Sequence, residues 1–431
     1  MAAGSDSPAA VLNMCWLVSN CERNAGPIYG ANAQRSTSNI QHPISPGSGS
    51  LALSVERSTL AMQTGNSAVI QFIRRKIKNY GPQSFAWFMQ QALYHPGHGY
   101  YSSGRCVIGR NGDYFTNVSV GPLFGQLLAA QFSEIWERLG KINDFVIVEQ
   151  GAHDGQFARD VLEFLQNRLP EFFDALRYRI IEPFPSLEAQ QRRGLGAFEN
   201  KVEWRESLEP FTGIHFSNEL LDAMPVRLIS DGPEKLVALD GDKFVFVERP
   251  VDKIMFNQAA LELIDEIATN LQHGYVIAID YGALDEKFER NAQVRARHRK
   301  LDSPFEQIGE ADITMPVHWK SIVERAQANG LRVAGFADQH HFLTGILSQI
   351  GKGGSPEPLA DVWDPVTDAK QRPGFPSLLL TSRKAKRELQ TLLHPEMLGR
   401  AFQVLTLSKN VDLDHNPLAG FKFARHLEQS G

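Results

Sequence analysis

The sequence predicts an α/β fold with a doubly wound, mostly parallel sheet, and three observations favour it. Short apolar runs of strand length alternate with segments in which apolar residues recur at helical spacing. The first clear unit, residues 145–162, reads as a buried strand, a glycine turn and a helix. No internal repeat interrupts the alternation. We therefore expect one sheet with helices on both of its faces.

Composition narrows the class of protein. A chain of 431 residues can bury one large core with insertions, or two cores. A net charge of −5 creates no global field that favours nucleic acid or anionic membrane. Three cysteines without zinc-like spacing favour a reduced compartment, and no apolar run approaches the roughly 18 to 20 residues that span a bilayer. We expect a soluble, cytoplasmic protein.

The first part of the chain has little periodicity. Residues 1–64 are rich in Ala, Ser, Asn, Gly and Pro and contain only three acids. They are interpreted as a disordered or mis-called N-terminal extension, with Met62 as an alternative start. An organellar transit peptide, which would direct the protein to the mitochondrial matrix, is the alternative, since such peptides are Ser-rich and acid-poor. An N-terminal helical region is predicted over 65–142.

Two histidines in this region stand at i and i+3. His95 and His98 belong to a turn-rich loop after a predicted helix over 85–93. Because no carboxylate or third ligand follows them at metal spacing, we expect no metal site.

The strand–turn–helix unit at 145–162 is the candidate seat of a nucleoside-bearing ligand. In a parallel sheet such a ligand lies between the strand's carboxyl end and the helix's amino end. Glu149 ends the strand, while Gly151 and Gly155 would let the backbone approach the ligand. A second strand, predicted over 177–182, ends in Glu182, near the spacing of about 20 residues at which such folds place an acid on a ribose.

Further elements alternate in the same way. Strands are predicted over 201–204, 213–217, 274–280, 331–336 and 376–381, helices over 122–139, 251–271, 317–329 and 342–350, and a final helix and strand over 396–409. Residues 226–250 alternate in polarity between Asp-Gly turns, which predicts an inserted antiparallel meander. A loop is predicted over 283–315; it carries the basic run RARHRK.

The order of these signals resembles a class I S-adenosylmethionine-dependent methyltransferase and, within that class, the MidA family. The shared segments are GHGYY (97–101), GDYFT (112–116), FGQLLA (124–129), the acid-glycine loop 149–155, NELLDAMPV (218–226), IDYG (279–282), DIT (312–314), and Gln339 ahead of Phe342 and Leu343. The resemblance implies a Rossmann-like domain over 143–409, with insertions at 226–250 and 283–315, and a C-terminal tail over 410–431.

The chain departs from the family's pattern at two places. Family members usually read E-x-G-P-G-x-G in the first turn, whereas Ala152 and His153 stand here for the Pro and the middle Gly. The family's T-S-P-E becomes residues 116–119, TNVS, without its acid. These departures motivate an alternative function: a catalytically degenerate relative that binds a partner protein during assembly.

The resemblance implies S-adenosyl-L-methionine as the cofactor. Glu182 would accept its ribose hydroxyls, Ser207 would lie at the adenine edge, and Glu149 with Gly151 and Gly155 would line the methionine side. Thr116 and Asn218 complete the expected cofactor-binding set. A nicotinamide-dependent oxidoreductase is disfavoured because the turn lacks the G-x-G-x-x-G spacing.

The family's mitochondrial member is a respiratory complex I assembly factor that methylates a protein arginine, so the resemblance implies a protein substrate, such as a respiratory complex subunit. An arginine guanidinium is always protonated and needs acids that hold it and take the released proton. Glu219 and Asp222 are the first candidates, followed by Asp280 and Tyr281. His153 is an alternative base, and RARHRK is either a solvated surface or a dock for an acidic part of the substrate.

Overall fold

The structure is a computed structural model, and the residues that it describes fall into several ranges: 64–104, 116–229, 232–251, 255–284, 292–297, 299–350, 382–413 and 416–424. The extension predicted over 1–64, apart from its last residue, and the strand predicted over 376–381 lie outside these residues.

Helices and strands alternate along the described residues. The helices are α1 (Ser67–Tyr80), α2 (Phe85–Tyr94), α3 (Asn117–Val120), α4 (Leu123–Arg138), α5 (Gln156–Arg168), α6 (Pro170–Ala175), α7 (Pro185–Gly194), α8 (Gln258–Asn270), α9 (Trp319–Ala328), α10 (Gln339–Ile350) and α11 (Arg383–Leu393). The strands are β1 (Gln83–Ser84), β2 (Phe145–Gln150), β3 (Leu176–Ile181), β4 (Val202–Arg205), β5 (Phe211–Asn218), β6 (Leu228–Ile229), β7 (Glu234–Asp240), β8 (Lys243–Arg249), β9 (Leu271–Ala283), β10 (Gln293–Ala296), β11 (Arg299–Leu301), β12 (Asp312–Thr314), β13 (Val317–His318), β14 (Arg332–Asp338) and β15 (Phe402–Lys409).

The main sheet confirms the predicted doubly wound architecture. Its strand order is β4-β3-β2-β5-β9-β15-β14, with β13 paired to the end of β9. The five strands from β4 to β9 in this order are parallel, and β15 runs antiparallel to both of its neighbours. Because the strand order reverses beside β2, a crevice forms at the carboxyl ends of β2 and its neighbours.

Strand β2 shows why this sheet has two covered faces. Phe145 and Ile147 pack into a cluster with α4, α5 and α10. Val146 and Val148 point to the opposite face and pack into a cluster with α8 and α9. Side chains alternate between the faces of a strand, so a continuous apolar run is what a strand covered on both faces requires.

A third hydrophobic cluster joins three segments that are far apart in the sequence. It contains side chains of α1 and α2, of the β6–β8 region, and of the β10–β12 region. The predicted meander is present, with β7 antiparallel to β6 and β8 and also to β1. We call this assembly of α1, α2, β1, β6–β8 and β10–β12 the cap. The domain boundaries that the sequence suggested stay predictions.

Two secondary-structure predictions are wrong, the first in the type of structure and the second in the position of a helix. The segment 283–315 is not a plain loop, because β10 pairs antiparallel with β11 and β12; strands of three or four residues are too short to show alternation. The last helix, α11, ends at Leu393, and the residues predicted to be helical from 396 form a single wide turn, Pro395–Gly399.

Among the described residues, the structure contains no helix that combines the length and the apolar character needed to cross a membrane.

Candidate functional site

A cavity of about 860 Å³ lies at the carboxyl ends of β2, β3 and β5. Six of the seven residues predicted to bind the cofactor line this cavity: Thr116, Glu149, Gly151, Glu182, Ser207 and Asn218. The seventh, Gly155, is the N-cap of α5, directly behind this wall. Of the four predicted catalytic residues, Glu219 lines the cavity, whereas Asp222, Asp280 and Tyr281 do not.

The turn after β2 has backbone angles that favour glycine. Gly151 and Gly155 have φ values of 84° and 81°. A Cβ at Gly151 would lie 3.2 Å from Cδ1 of Leu220, and one at Gly155 would lie 3.1 Å from Cδ1 of Leu195. Both positions therefore combine a left-handed backbone with close packing against a leucine side chain, two reasons for glycine that the sequence interpretation did not include.

Ala152 and His153, the two residues that depart from the family's pattern, fit into this turn. Ala152 is buried in the cluster around α4 and α5. His153 has a left-handed φ of 49°, which disfavours a bulky residue and explains why a glycine is usual there. Its carbonyl oxygen accepts a hydrogen bond of 2.9 Å from Nε2 of Gln191.

The carboxylate of Glu182 follows the end of β3 and is held at both oxygens. Oε1 accepts from the backbone N–H of Phe184 at 3.0 Å, and Oε2 accepts from Nε2 of Gln191 at 2.8 Å. Burial raises the pKa of Glu182 to about 7, although these two donors act in the opposite direction. The group therefore changes charge near neutral pH.

Glu149 occupies the corresponding place at the end of β2. Its Oε2 accepts a hydrogen bond of 2.8 Å from the hydroxyl of Tyr178 on β3. Burial raises the pKa of Glu149 to about 8. Neighbouring parallel strands thus place two acids at one edge of the cavity, as their positions at the strand ends predicted.

The short helix α3 binds the end of β5. Thr116 caps α3 in a reciprocal arrangement with Ser119. Asn117, at the start of the helix, donates its backbone N–H to Oε1 of Glu219 at 3.1 Å and its Nδ2 to Oδ1 of Asn218 at 3.0 Å. Asn218 in turn donates to the same Oε1 of Glu219 at 2.9 Å.

Glu219 is consequently oriented by three elements. It has a left-handed φ of 54°, and its N–H donates to the carbonyl of Ile279 on β9. Its Oε2 has no hydrogen-bond partner among the described residues. Burial, followed by the charge of Asp222, raises the pKa of Glu219 to about 8. The cavity wall thus contains a carboxyl group with one oxygen fixed and one oxygen available.

Asp280 and its neighbours lie behind the wall. Oδ2 of Asp280 accepts the backbone N–H groups of Leu221 at 2.9 Å and Asp222 at 3.2 Å, while Oδ1 accepts the N–H of Tyr281 at 2.8 Å. The side chain of Tyr281 interacts with Asp222 and acts to lower the pKa of that carboxyl group. Asp280 therefore fixes the turn that follows β5.

Burial dominates the electrostatics of these two aspartates. It raises the pKa of Asp222 to about 6. It also raises the pKa of Asp280 well above its usual range, with further contributions from the charges of Asp222 and Glu219. Acids that are this close and this buried cannot all be ionised together.

Sequence reasoning missed an aromatic group in the lining of the cavity, formed by Tyr94, Tyr101 and Phe184. Tyr94 stacks between Tyr101 and Phe184, with ring centroids 5.6 Å and 6.2 Å away. The Tyr94 hydroxyl donates to the carbonyl of Ala223, and the Tyr101 hydroxyl donates to Oδ1 of Asp312 at 2.7 Å. Tyr101 belongs to the GHGYY segment, which was a signal, whereas nothing in the sequence marked Tyr94 or Phe184.

The cap also contacts the turn that follows β5. The backbone N–H of Met315, just after β12, donates to the carbonyl of Asp222 at 2.8 Å.

No group of three or more side chains suited to hold a metal occurs in the described part of the chain.

Comparisons with known proteins agree with this geometry. The profile of a family described as S-adenosyl-L-methionine-dependent methyltransferases matches residues 127–337, from α4 to β14. The chain is 26% identical to a protein from Burkholderia thailandensis whose crystal structure contains bound S-adenosyl-homocysteine; the TM-score is 0.70, and the match covers 84% of this chain and 96% of that one. This chain is a MidA-like S-adenosylmethionine-dependent methyltransferase.

Curated relatives of the methyltransferase carry a more specific name. The "Protein arginine methyltransferase NDUFAF7 homolog, mitochondrial" of Drosophila melanogaster is 25% identical over 329 residues, which cover 65% of this chain and 75% of the relative. The "Protein arginine methyltransferase NDUFAF7, mitochondrial" of Homo sapiens is 23% identical over 411 residues, which cover 84% and 87%.

The residues around the cavity of the methyltransferase fit the chemical groups of S-adenosylmethionine. Ribose hydroxyls are donors, and Glu182 is a positioned acceptor beside the strand that follows the glycine turn. The amino-acid end of the cofactor carries an ammonium group, for which Glu149 is an acid at the cavity wall. A volume of about 860 Å³ lies within the usual range of small-molecule pockets, roughly 300 to 1,000 Å³.

Proposed function

We propose that this methyltransferase methylates an arginine of a protein substrate, with Glu219 as the residue that receives the guanidinium. The observation that carries the proposal is the Glu219 carboxyl group in the cavity wall, with Oε1 fixed by Asn117 and Asn218 and Oε2 without a partner among the described residues. The names of the relatives support an arginine acceptor.

For the cofactor we propose the following assignment. Glu182 accepts the two ribose hydroxyls, Ser207 lies at the adenine edge, and Glu149 receives the ammonium group. Gly151 and Gly155 let the backbone come close to the methionine portion, near Thr116 and Asn218. The bound cofactor supplies a methyl group on a positively charged sulfur, so the protein's main task is to position the acceptor nitrogen in line with it.

Glu219 is suited to an acceptor that arrives as a cation. With a pKa of about 8 in the free protein, its carboxyl group is mostly neutral at pH 7. A guanidinium beside it favours the carboxylate and lowers that pKa, so binding creates the ion pair. When the methyl–sulfur bond breaks and the nitrogen–carbon bond forms, the acceptor nitrogen releases one proton, which Oε2 of Glu219 is placed to take.

For Asp222, Asp280 and Tyr281 we propose positioning roles. All three sit behind the cavity wall, and Asp280 accepts hydrogen bonds from three backbone N–H groups of the two strand ends. This network holds the 219–222 turn, and Asp222 adds negative charge near Glu219.

The cap offers a surface for the rest of a protein substrate. Arg295, Arg297, Arg299 and Lys300 on the β10–β11 hairpin are exposed. In the strand register, Arg295 lies opposite Lys300 of β11 on one side and opposite Asp312 of β12 on the other. The side chain of Asp312 accepts a hydrogen bond from Tyr101 in the cavity wall. At strand spacings of about 4.8 Å, the backbone of Lys300 therefore lies roughly 10 Å from the backbone of Asp312. We propose that this hairpin docks an acidic part of the substrate, such as a respiratory complex subunit.

For localisation, the relatives' names favour the mitochondrion, and we propose the mitochondrial matrix in place of the cytoplasm. The alternative of a degenerate, protein-binding relative is not favoured, because the matched family is one of methyltransferases and the predicted cofactor side chains converge on one cavity.

Mass spectrometry of methylated peptides from cells with and without this protein tests the acceptor. The proposal predicts at least one arginine whose methylation disappears without the protein and is restored in vitro by the protein with S-adenosylmethionine. Loss of methylation only at lysines, at other residue types or on small molecules would overturn the arginine assignment and leave the methyltransferase assignment intact.

A further inference from the structure

We infer that Gln191 is a positioning residue for cofactor binding, and that it compensates for His153 in the cofactor turn. Gln191 lies on α7 and is completely buried. Its one side-chain amide contacts three segments: the residue after β3, the turn after β2, and β4. The inference rests on the cofactor site and does not depend on the identity of the acceptor.

The hydrogen bonds of Gln191 use both of its polar atoms. Nε2 donates to Oε2 of Glu182 at 2.8 Å and to the carbonyl oxygen of His153 at 2.9 Å. Oε1 accepts from Nε1 of Trp204 on β4 at 3.0 Å. An amide carries two N–H donors and an acceptor oxygen, so each of these contacts has a suitable partner group.

The first contact fixes the carboxylate that we assign to the ribose. Oε1 of Glu182 is already held by the N–H of Phe184, and Gln191 fixes the other oxygen. The carboxylate plane is therefore set before the ligand arrives, which reduces the ordering that binding requires. A hydrophobic residue at position 191 would leave Oε2 free to rotate and would remove a donor that stabilises the charged form.

The second contact holds the carbonyl of His153 in a backbone region that L-residues with bulky side chains rarely adopt. His153 has a φ of 49°, and the position would be relaxed as glycine. Gln191 also packs behind Gly155, since a Cβ there would lie 3.5 Å from Cγ of Gln191. The turn can keep its shape with histidine in place of glycine because Gln191 holds it from behind.

These two roles make different predictions, and a double-mutant cycle separates them. Gln191→Leu removes the hydrogen bond to Glu182 and the hydrogen bond to the carbonyl of His153. His153→Gly removes the backbone strain, so the turn depends less on the hydrogen bond from Gln191 to the carbonyl of residue 153. Arg193→Leu is the matched control, because Arg193 is exposed on the same helix. The measurements are the affinity for S-adenosylhomocysteine by calorimetry, from pH 6 to pH 9, and the melting temperature of the ligand-free protein.

For Gln191→Leu we expect about tenfold weaker binding near pH 7, with a smaller loss above pH 8. The charged groups that act on Glu182 are His153, which lowers its pKa, and Glu188, which raises it, beside the donors from Phe184 and Gln191. Loss of the Gln191 donor therefore moves the pH dependence of binding to higher pH. A purely structural role would weaken binding by the same factor at every pH.

His153→Gly in the Gln191→Leu background should recover the melting temperature and, above pH 8, part of the affinity. The pH dependence should move further to higher pH, because the His153 side chain, which lowers the pKa of Glu182, is also removed. Arg193→Leu should match the wild type in every measurement. Unchanged affinity in Gln191→Leu, a loss that is uniform with pH, or no recovery by His153→Gly would overturn the inference. Absence of ligand binding in the wild-type protein would instead refute the cofactor site itself.

Discussion

The acids at the ends of β2 and β3 differ from those at the ends of β5 and β9 in how they are supported. Glu149 and Glu182 each line the cavity, and neutral donors on neighbouring elements bind them. Glu219 also lines the cavity, but Asp222 and Asp280 lie behind it and their charges interact with one another and with Glu219. We propose that the first pair binds the cofactor and that, in the second group, Glu219 alone receives the guanidinium of the substrate.

Acids at the ends of neighbouring strands can therefore have different structural roles. The edge of a parallel sheet brings the acids together, but the donors around each acid decide whether it meets the ligand or shapes the backbone. Asp280 receives three backbone N–H groups and has no place in the cavity wall. We call Glu149, Glu182 and the glycine turn the cofactor half of the site, and Glu219, Asp222 and Asp280 the acceptor half. Substitutions in the two halves should have different effects.

The largest expected effect is on turnover after loss of Glu219. Glu219→Gln keeps the contact with Asn117 but cannot take a proton, so we expect the rate of methyl transfer to fall about 10²- to 10⁴-fold. The affinity for S-adenosylhomocysteine should change less than twofold, because the cofactor half is untouched. Steady-state transfer from labelled S-adenosylmethionine, beside calorimetry, checks both, and a rate within threefold of wild type would remove Glu219 from the chemistry.

A loss of stability should distinguish Asp280 from Glu219. Asp280→Ala leaves the N–H groups of Leu221, Asp222 and Tyr281 without their acceptor in a buried site, so we expect a loss of about 3 kcal/mol in the free energy of unfolding. Asp280→Asn keeps one acceptor oxygen and should lose less. Urea denaturation measures both variants, and equal stabilities for Asp280→Ala and wild type would contradict the positioning role.

The cofactor half should bind its ligand in a pH-dependent manner. Glu182 has a pKa of about 7 and accepts hydrogen bonds better as a carboxylate, so the affinity for S-adenosylhomocysteine should rise about tenfold from pH 6 to pH 8. The ligand-free protein should show the opposite trend. Since the pKa is raised above its ordinary 4.5, the stability that this carboxyl contributes is complete below pH 4.5 and is lost as the pH rises through about 7.

Glu182→Gln is the control for that profile, because an amide does not titrate. The change of affinity with pH that remains in this variant then reports Glu149, whose pKa of about 8 is higher than that of Glu182. A profile that is identical in the variant and the wild type would exclude Glu182 as the titrating group.

The smallest expected effect concerns the exposed hairpin of the cap. Arg299→Glu with Lys300→Glu reverses two charges outside the cavity, so we expect KM for a protein substrate to rise roughly two- to fivefold without a change in kcat. Lys320→Glu, an exposed charge on α9, is the matched control. A KM that does not respond, or that responds equally to Lys320→Glu, would show that the hairpin is a solvated surface.

Much of the cofactor half could be predicted from the sequence, because its residues stand at fixed positions relative to local elements. Glu149 lies near the end of one apolar strand, Gly151 and Gly155 lie in the turn between that strand and one helix, and Glu182 directly follows the next strand. The positions of these residues along the chain therefore translate directly into positions on the sheet edge.

The acceptor half could be predicted only as a set of residues. Asp222 and Asp280 have the same character in the sequence as Glu219, and only the three-dimensional structure shows which carboxylate receives backbone N–H groups. Gln191 and Tyr94 carried no signal, because one is a glutamine within an ordinary helix and the other an aromatic residue at a helix end. Their roles depend on contacts between segments that are distant in the chain.

One titration experiment compares the binding of S-adenosylhomocysteine at the two halves of the site. S-adenosylhomocysteine is titrated by calorimetry into the wild-type protein, Glu182→Ala and Glu219→Gln. We predict saturable binding to the wild type, affinity weaker by about 1.5 to 3 kcal/mol in Glu182→Ala, and affinity close to wild type in Glu219→Gln. No detectable binding to the wild type at millimolar ligand, or equal affinities for wild type and Glu182→Ala, would contradict the assignment of the cofactor to the ends of β2 and β3.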